Sequence, residues 1–180
     1  MPNSEKTLLA AQEIDRALSR MAYEIAERNM GCREMAFIGI RTGGVPIARR
    51  LATRVADIEG ETPPVGILDI TLYRDDWSRL SQYPIIRSTE IPFSIDGRRI
   101  ILVDDVLYTG RTIRAALDAI TDFGRPAMIQ LAVLVDRGRR EFPIQPDFTA
   151  LSLNTSAEEH VNVFLEEIDG RDMAVLGKKQ

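Results

Sequence analysis

The sequence predicts an α/β fold with a mostly parallel central sheet flanked by helices, and three observations predict it. Continuous apolar runs at Met35–Ile40, Ile100–Val103 and Met128–Val135 suit strands buried on both faces. Each run leads into a polar, Gly-containing turn: Arg41-Thr42-Gly43-Gly44, then Asp104 through Thr112, then Asp136-Arg137-Gly138-Arg139-Arg140. After the first two turns, apolar residues recur at helical spacing, so strand, Gly turn and helix repeat along the chain.

Length and composition bound the answer. At 180 residues and 44% hydrophobic, the chain is sized for one domain spanning 1–180, with no repeat or linker to divide it. A domain of this size buries roughly 70% of its unfolded surface and needs no covalent staples. Cys32 is the single cysteine and His160 the single histidine, which excludes a disulfide framework and a His/Cys metal cluster. There is no signal peptide and no apolar run near 18 residues, so a cytoplasmic protein without a membrane partner is expected. A net charge of −4 argues against indiscriminate polyanion binding but leaves room for a local basic face.

In chain order, Asn3 or Ser4 is positioned to cap a first helix carrying Leu8, Ile14, Leu18, Met21 and Ile25, which ends near Gly31. The strand Met35–Ile40 and its Gly turn follow. Val45-Pro46 then opens a helix with Ile47, Leu51 and Val55 on one face. Pro63-Pro64 breaks the chain before Val65–Tyr73, where Leu68, Ile70 and Leu72 alternate with Asp69, Thr71 and Tyr73 as a strand with one wetter face. Arg74–Tyr83 is polar and patternless: a lid or binding loop, with a solvated hairpin tip as the plainer alternative. Ser94-Ile95-Asp96-Gly97 turns into the central strand. Asp122-Phe123-Gly124 and Pro126 end the helix that follows it. Near the end, Val161, Val163 and Leu165 alternate as a strand. Asp169-Gly170 turns into Met173–Leu176, and Lys178-Lys179-Gln180 reads as a tail. His160 reads as structural.

The chemistry is concentrated in Asp104-Asp105 and the turn Thr109-Gly110-Arg111-Thr112. Free N–H groups at a helix start, with the macrodipole behind them, hold a phosphate, and two threonine hydroxyls add donors. No Walker A pattern is present. Alone, the acidic pair would be an ordinary cap and Thr-Gly an ordinary turn; the whole ordered string points to a phosphate site. Arg137 lies at a strand's carboxyl end, where ligands gather. For Arg139 and Arg140 a solvated basic turn is the simpler reading.

The string Val103-Asp-Asp-Val-Leu-Tyr-Thr-Gly-Arg-Thr112 resembles the phosphoribosyl-pyrophosphate (PRPP) signature of type I phosphoribosyltransferases. Further segments narrow the resemblance: Gly39–Thr42, Leu72–Asp76, Ile91–Phe93, Gly124–Pro126, Gln130–Gly138 and Arg140-Glu141 are similar to the PyrR branch. These are bifunctional pyrimidine regulators and uracil phosphoribosyltransferases, and the likeness runs from the first helix to about Val175. It implies the type I fold with a flexible hood loop, and conversion of uracil and PRPP to UMP and pyrophosphate. It implies Asp104 and Asp105, with Arg74, as catalytic residues, the acids facing the ribose hydroxyls and a Mg²⁺ held mainly through PRPP and water. Arg41, Thr42, Gly43 and Gly44 are implied to bind the pyrophosphate, with Arg87 nearby. Val106, Leu107, Tyr108, Thr109, Gly110, Arg111 and Thr112 are implied to enclose the 5′-phosphate, and Arg137 and Val161 to border the base. An assembly of two or more copies and control of pyrimidine genes through UMP-dependent binding of leader mRNA, with Arg139 and Arg140 on the RNA face, complete the implication.

Two departures bear on RNA rather than catalysis. Basic residues expected in strong RNA binders are absent at Gly43 and around Ala150–Leu153. Three readings follow: uracil enzyme with RNA regulation, phosphoribosyltransferase only, or a nucleotide-sensing regulator with little turnover. Tyr108 stands where purine-type relatives place an acid, and a phenol is a poor base at neutral pH. Uracil is therefore expected over a purine.

Overall fold

The computed structural model describes residues 5–76 and 88–178. The chain opens with strand β1 (Lys6–Ala10) and helix α1 (Ala11–Asn29), then alternates through β2 (Met35–Ile40), α2 (Gly44–Glu59) and β3 (Val65–Leu68). β4 (Arg99–Leu107), α3 (Arg111–Thr121), β5 (Met128–Asp136) and β6 (Phe148–Ser152) complete the main body, and β7 (Glu159–Phe164), α4 (Glu166–Asp169) and β8 (Met173–Lys178) close the chain. The main sheet has five parallel strands in the order β3-β2-β4-β5-β6. A separate antiparallel sheet has the order β1-β8-β7.

The apolar runs explain the layering. Successive side chains of a strand point to opposite faces, so a continuous run needs cover on both. Phe37, Ile101, Val103 and Leu134 pack with Ile14, Leu18 and Met21 of α1 and Ile47, Leu51 and Val55 of α2. Their neighbours Ile38, Ile40, Ile100, Leu102 and Val133 pack on the other side with Ile113, Ala116 and Ile120 of α3. Truncating one of these buried aliphatics to Ala costs about 2–5 kcal/mol.

Four expectations are corrected. The first helix begins at Ala11 rather than after Asn3 or Ser4, because residues 6–10 pair with β8, with Lys6 opposite Leu176 and Ala10 opposite Met173. Ala10 takes the cap position, and its N–H donates to the Glu13 carboxylate at 2.7 Å. The strand from Val65 ends at Leu68: the Thr71 N–H donates to Asp69 Oδ1 at 2.9 Å, and Thr71–Tyr73 winds into a 3-10 turn, leaving Leu72 exposed. The central strand does not stop at its carboxylates but runs through them to Leu107. β6 has no counterpart among the expected strands; it lies at the sheet edge, where Arg20 of α1 donates to the carbonyls of Thr149 and Ala150, each at 3.1 Å.

The small sheet shares the core of the α1–α2 side through Leu9, Val161, Leu165 and Ala174. Arg50 of α2 pins it there, with Nε 2.8 Å from Glu167 and Nη1 2.9 Å from Asp172. The carboxylates Glu167 and Asp172 hold the Arg50 proton still more firmly than usual. The guanidinium in turn lowers Glu167, and lowers Asp172 despite the upward push of its burial.

Candidate active site

A crevice opens where the strand order reverses, between β2 and β4. β2 leads through α2 to β3 on one side, and β4 leads through α3 to β5 on the other. Such a switch point in an open α/β sheet is where ligands bind. The β2–β4 pairing ends at Gly39–Val103, whereas β4 stays paired with β5 as far as Leu107–Asp136. The acidic pair therefore sits on a strand with one flank released. A cavity of about 360 Å³ occupies that place, lined among others by Arg41, Thr42, Gly43, Asp104, Asp105 and Val106.

The carboxylates are held from the backbone. Asp104 Oδ1 accepts the Asp105 N–H at 3.0 Å, and Asp105 Oδ1 accepts the Val106 N–H at 2.8 Å. Asp104 is only 6% exposed. Burial, and then the neighbouring Asp105 charge and side-chain hydrogen bond, push its carboxyl well above the ordinary range, against the backbone bond that favours the charge. A cation or a donor-rich ligand placed at Asp104 would oppose that upward push.

The two glycines opposite are needed for close approach and not for unusual backbone angles. Gly43 has φ −70 and ψ −27, open to any residue. A Cβ there would fall 2.4 Å from Asp105 Oδ2, and one at Gly44 would fall 2.2 Å from the Val103 carbonyl oxygen. Gly39 belongs to the same packing: its Cβ would meet the Val45 Cα at 2.6 Å, a role with no local signal in the sequence. The start of α2 is thereby laid directly against the acidic strand. Arg41 lines the cavity but its guanidinium is engaged, donating to the Ser88 carbonyl at 3.2 Å and to Glu90 at 3.1 Å.

The second turn borders a second cavity. Gly110, at φ 91, caps α3, and Thr109, Arg111 and Thr112 line an adjoining cavity of about 160 Å³ with Arg74, Asp75 and Asp76. Arg74 and Thr112 face both cavities. Glu141 and Phe142, not singled out as site residues from sequence, brace the turn: their N–H groups donate to the Thr109 carbonyl at 2.9 and 3.1 Å. Leu107 is 1% exposed and its side chain packs in the α3-side core, anchoring the loop.

Beyond the turn, Arg137 is 6% exposed, donates from Nε to Thr155 at 3.1 Å, and lies 3.9 Å from the Tyr108 ring centroid. Burial lowers its pKa. It ties Tyr108 to the start of β7, where its Nη2 donates to the Glu159 carbonyl. The Val161 side chain packs into the α1–α2 core, as part of β7. Arg139 is exposed at φ 57. Arg140 is instead spent internally on Asp136, at 2.7 Å, and on the Ile144 and Tyr108 carbonyls, at 2.6 and 3.1 Å. His160 packs over Gly177, whose Cβ would fall 2.7 Å from the ring. Arg87 and most of the expected hood loop lie outside the described residues.

Comparison with known proteins gives the family. The family model for the phosphoribosyl transferase domain matches residues 4–167. The bifunctional protein PyrR of Pelotomaculum thermopropionicum is 56% identical over 98% of this chain and 97% of its own. That of Deinococcus radiodurans is 55% identical, covering 98% and 96%. The chain belongs to the PyrR family of phosphoribosyltransferases. Solved structures share the fold at greater distance. A hypoxanthine-guanine phosphoribosyltransferase from Bacillus anthracis aligns with a TM-score of 0.70 at 14% identity, covering 99% of each chain. The hypoxanthine phosphoribosyltransferase of Trypanosoma cruzi aligns with a TM-score of 0.70 at 18% identity, covering 97% of each. These neighbours establish the type I architecture of this PyrR family member and leave the choice of base to the site itself.

Proposed function

We propose that the protein transfers the phosphoribosyl group of PRPP to uracil, giving UMP and pyrophosphate. The observation that carries this reading is the juxtaposition of Asp104 and Asp105 with the Arg41–Gly43 loop across one cavity that adjoins the Thr109–Thr112 turn. On this reading the pyrophosphate lies at Thr42–Gly44 and the start of α2, the ribose at the acidic pair and the 5′-phosphate at the start of α3.

In the reaction the bond from ribose C1 to the pyrophosphate oxygen breaks, and a bond from C1 to the uracil nitrogen forms. Positive charge grows on the ribose and negative charge leaves with the pyrophosphate, so positioning and electrostatics carry the rate. Asp104 and Asp105 accept the ribose hydroxyls and face the developing cation. The amides at Gly43 and Gly44 receive the leaving group. Arg74, standing between the two cavities, adds positive charge on the phosphate side. Mg²⁺, when bound, supplies charge neutralisation at the pyrophosphate. The two carboxylates suit a hard cation, and among the described residues no group of three or more His, Cys, Asp or Glu side chains forms a metal cage, so its other ligands come from PRPP and water. Incubation with PRPP, Mg²⁺ and labelled uracil should yield labelled UMP. Absence of product under conditions where PRPP binds would leave the nucleotide-sensing alternative.

The relatives are named bifunctional, and we read the second activity as regulation of pyrimidine genes through UMP-dependent binding of leader mRNA by an assembly of two or more copies. Exposed Arg139 is the residue at the strand end that is available for it. Arg140 joins only if its internal bonds are exchanged. Enzyme activity without RNA binding is the other outcome of a gel-shift titration with that RNA.

A further inference from the structure

Arg111 holds two carboxylates at once, both beside the cradle assigned to the 5′-phosphate. Its Nε donates to Glu141 at 2.6 Å, its Nη1 pairs with Asp75, and its guanidinium carbon lies 5.0 Å from the centroid of the Phe142 ring. The two acids are anchored differently. Glu141 is fixed to the cradle, because its own N–H donates to the Thr109 carbonyl at 2.9 Å. Asp75 belongs to the turn after the 3-10 segment at Thr71–Tyr73 and lines the cavity together with Arg111. A phosphate dianion entering this cavity would meet the Asp75 carboxylate as a competitor for the same guanidinium, and like charges at a few ångströms repel. Arg111 has five N–H donors, enough to keep Glu141 on Nε while the Nη1 side changes partner.

We propose that Asp75 is an internal stand-in for the 5′-phosphate, exchanged for it at Arg111, and that Glu141 is the positioning residue that keeps Arg111 aimed into the cradle. The inference rests on the assignment of residues 109–112 to the 5′-phosphate. On this reading Asp75 masks the cationic site until a phosphate of the right geometry arrives.

The test is calorimetric binding of ribose 5-phosphate, with inorganic pyrophosphate as the comparison ligand, to the full chain at low ionic strength. Asp75→Asn should bind ribose 5-phosphate about two- to fivefold more tightly, the range expected when an exposed ion pair no longer competes. Glu141→Gln should bind it more weakly by a similar factor, and pyrophosphate affinity should be unchanged in both. The gain from Asp75→Asn should vanish in an Arg111→Gln background, because exchange requires the guanidinium. A gain that persists in that background is plain repulsion and overturns the proposal, as does no gain in the single variant. If the unmodified protein binds pyrophosphate but not ribose 5-phosphate, the cradle assignment falls first, and that outcome is distinct from the other two.

Discussion

At the scale of single residues, Asp104 concentrates the conflict between stability and function. Its carboxyl is raised by burial and by Asp105, so the folded chain binds that proton more tightly than the unfolded chain does. Stability therefore falls as pH rises from the unfolded value near about 4 through the raised folded value, and the loss is complete above it. Asp104→Asn should remove a burial penalty of about 1–3 kcal/mol and raise the ligand-free melting temperature by a few degrees at pH 8, at roughly 2–4 °C per kcal/mol. At pH values below the window the two proteins should melt together. Differential scanning calorimetry across pH checks this, and a variant that melts lower at pH 8 would contradict it. The same substitution combined with Asp105→Asn should cut turnover by about one to four orders of magnitude, if each lost charged contact is worth about 1.5–3 kcal/mol. Gly44→Ala belongs to the same scale. Its methyl would meet the Val103 carbonyl oxygen at 2.2 Å, so α2 must move off β4. A destabilisation of about 1–3 kcal/mol, with a weaker apparent affinity for pyrophosphate, is expected from melts and product inhibition.

At the scale of elements, Arg50 decides how the small sheet is held. Glu167 and Asp172 carry lowered pKa values because Arg50 bonds their charged forms. Their contribution is present above the ordinary carboxylate values and is lost as pH falls through the lowered ones. Arg50→Gln should cost about 1–2 kcal/mol at neutral pH, discounted for partial exposure, and less in acid. Amide exchange should quicken in β7 and β8 while β4 and β5 keep their protection; uniform quickening would show that the clamp is not local. These same elements mark where sequence legibility ends. The strands from Met35 and Met128 and the starts of α2 and α3 are readable, because continuous apolar runs and Gly turns are local signals. β1 reads as helix from sequence, since Lys6–Ala10 becomes a strand only by pairing with Met173–Leu176, far along the chain. β6 carries too short a signal, and its free edge is covered by an arginine from another element. In the site, the order of the motif names the acids and the turn that line the two adjoining cavities. Glu141 and Gly39 escape, because their roles depend on contacts with Thr109, Arg111 and Val45 that folding alone brings together.

At the scale of the whole molecule, charge and base choice matter. With a net charge of −4, any RNA face has to be local. Three to five phosphate contacts would give a log–log salt slope of about −2 to −4, at roughly −0.7 per contact on single-stranded RNA. UMP should tighten RNA, and RNA should tighten UMP by the same factor, since binding coupling is reciprocal. Titrations with and without UMP read both, and salt-independent binding would remove the RNA face. The uracil assignment is the claim on which the rest depends. Tyr108, beneath Arg137 at 3.9 Å, offers a phenol where the sequence reading expects an acid in a purine enzyme. The most direct measurement is therefore the specificity constant, kcat/KM, for uracil, hypoxanthine and guanine with saturating PRPP and Mg²⁺. Efficient turnover of uracil with negligible turnover of both purines is predicted, and a higher constant for either purine would contradict the account.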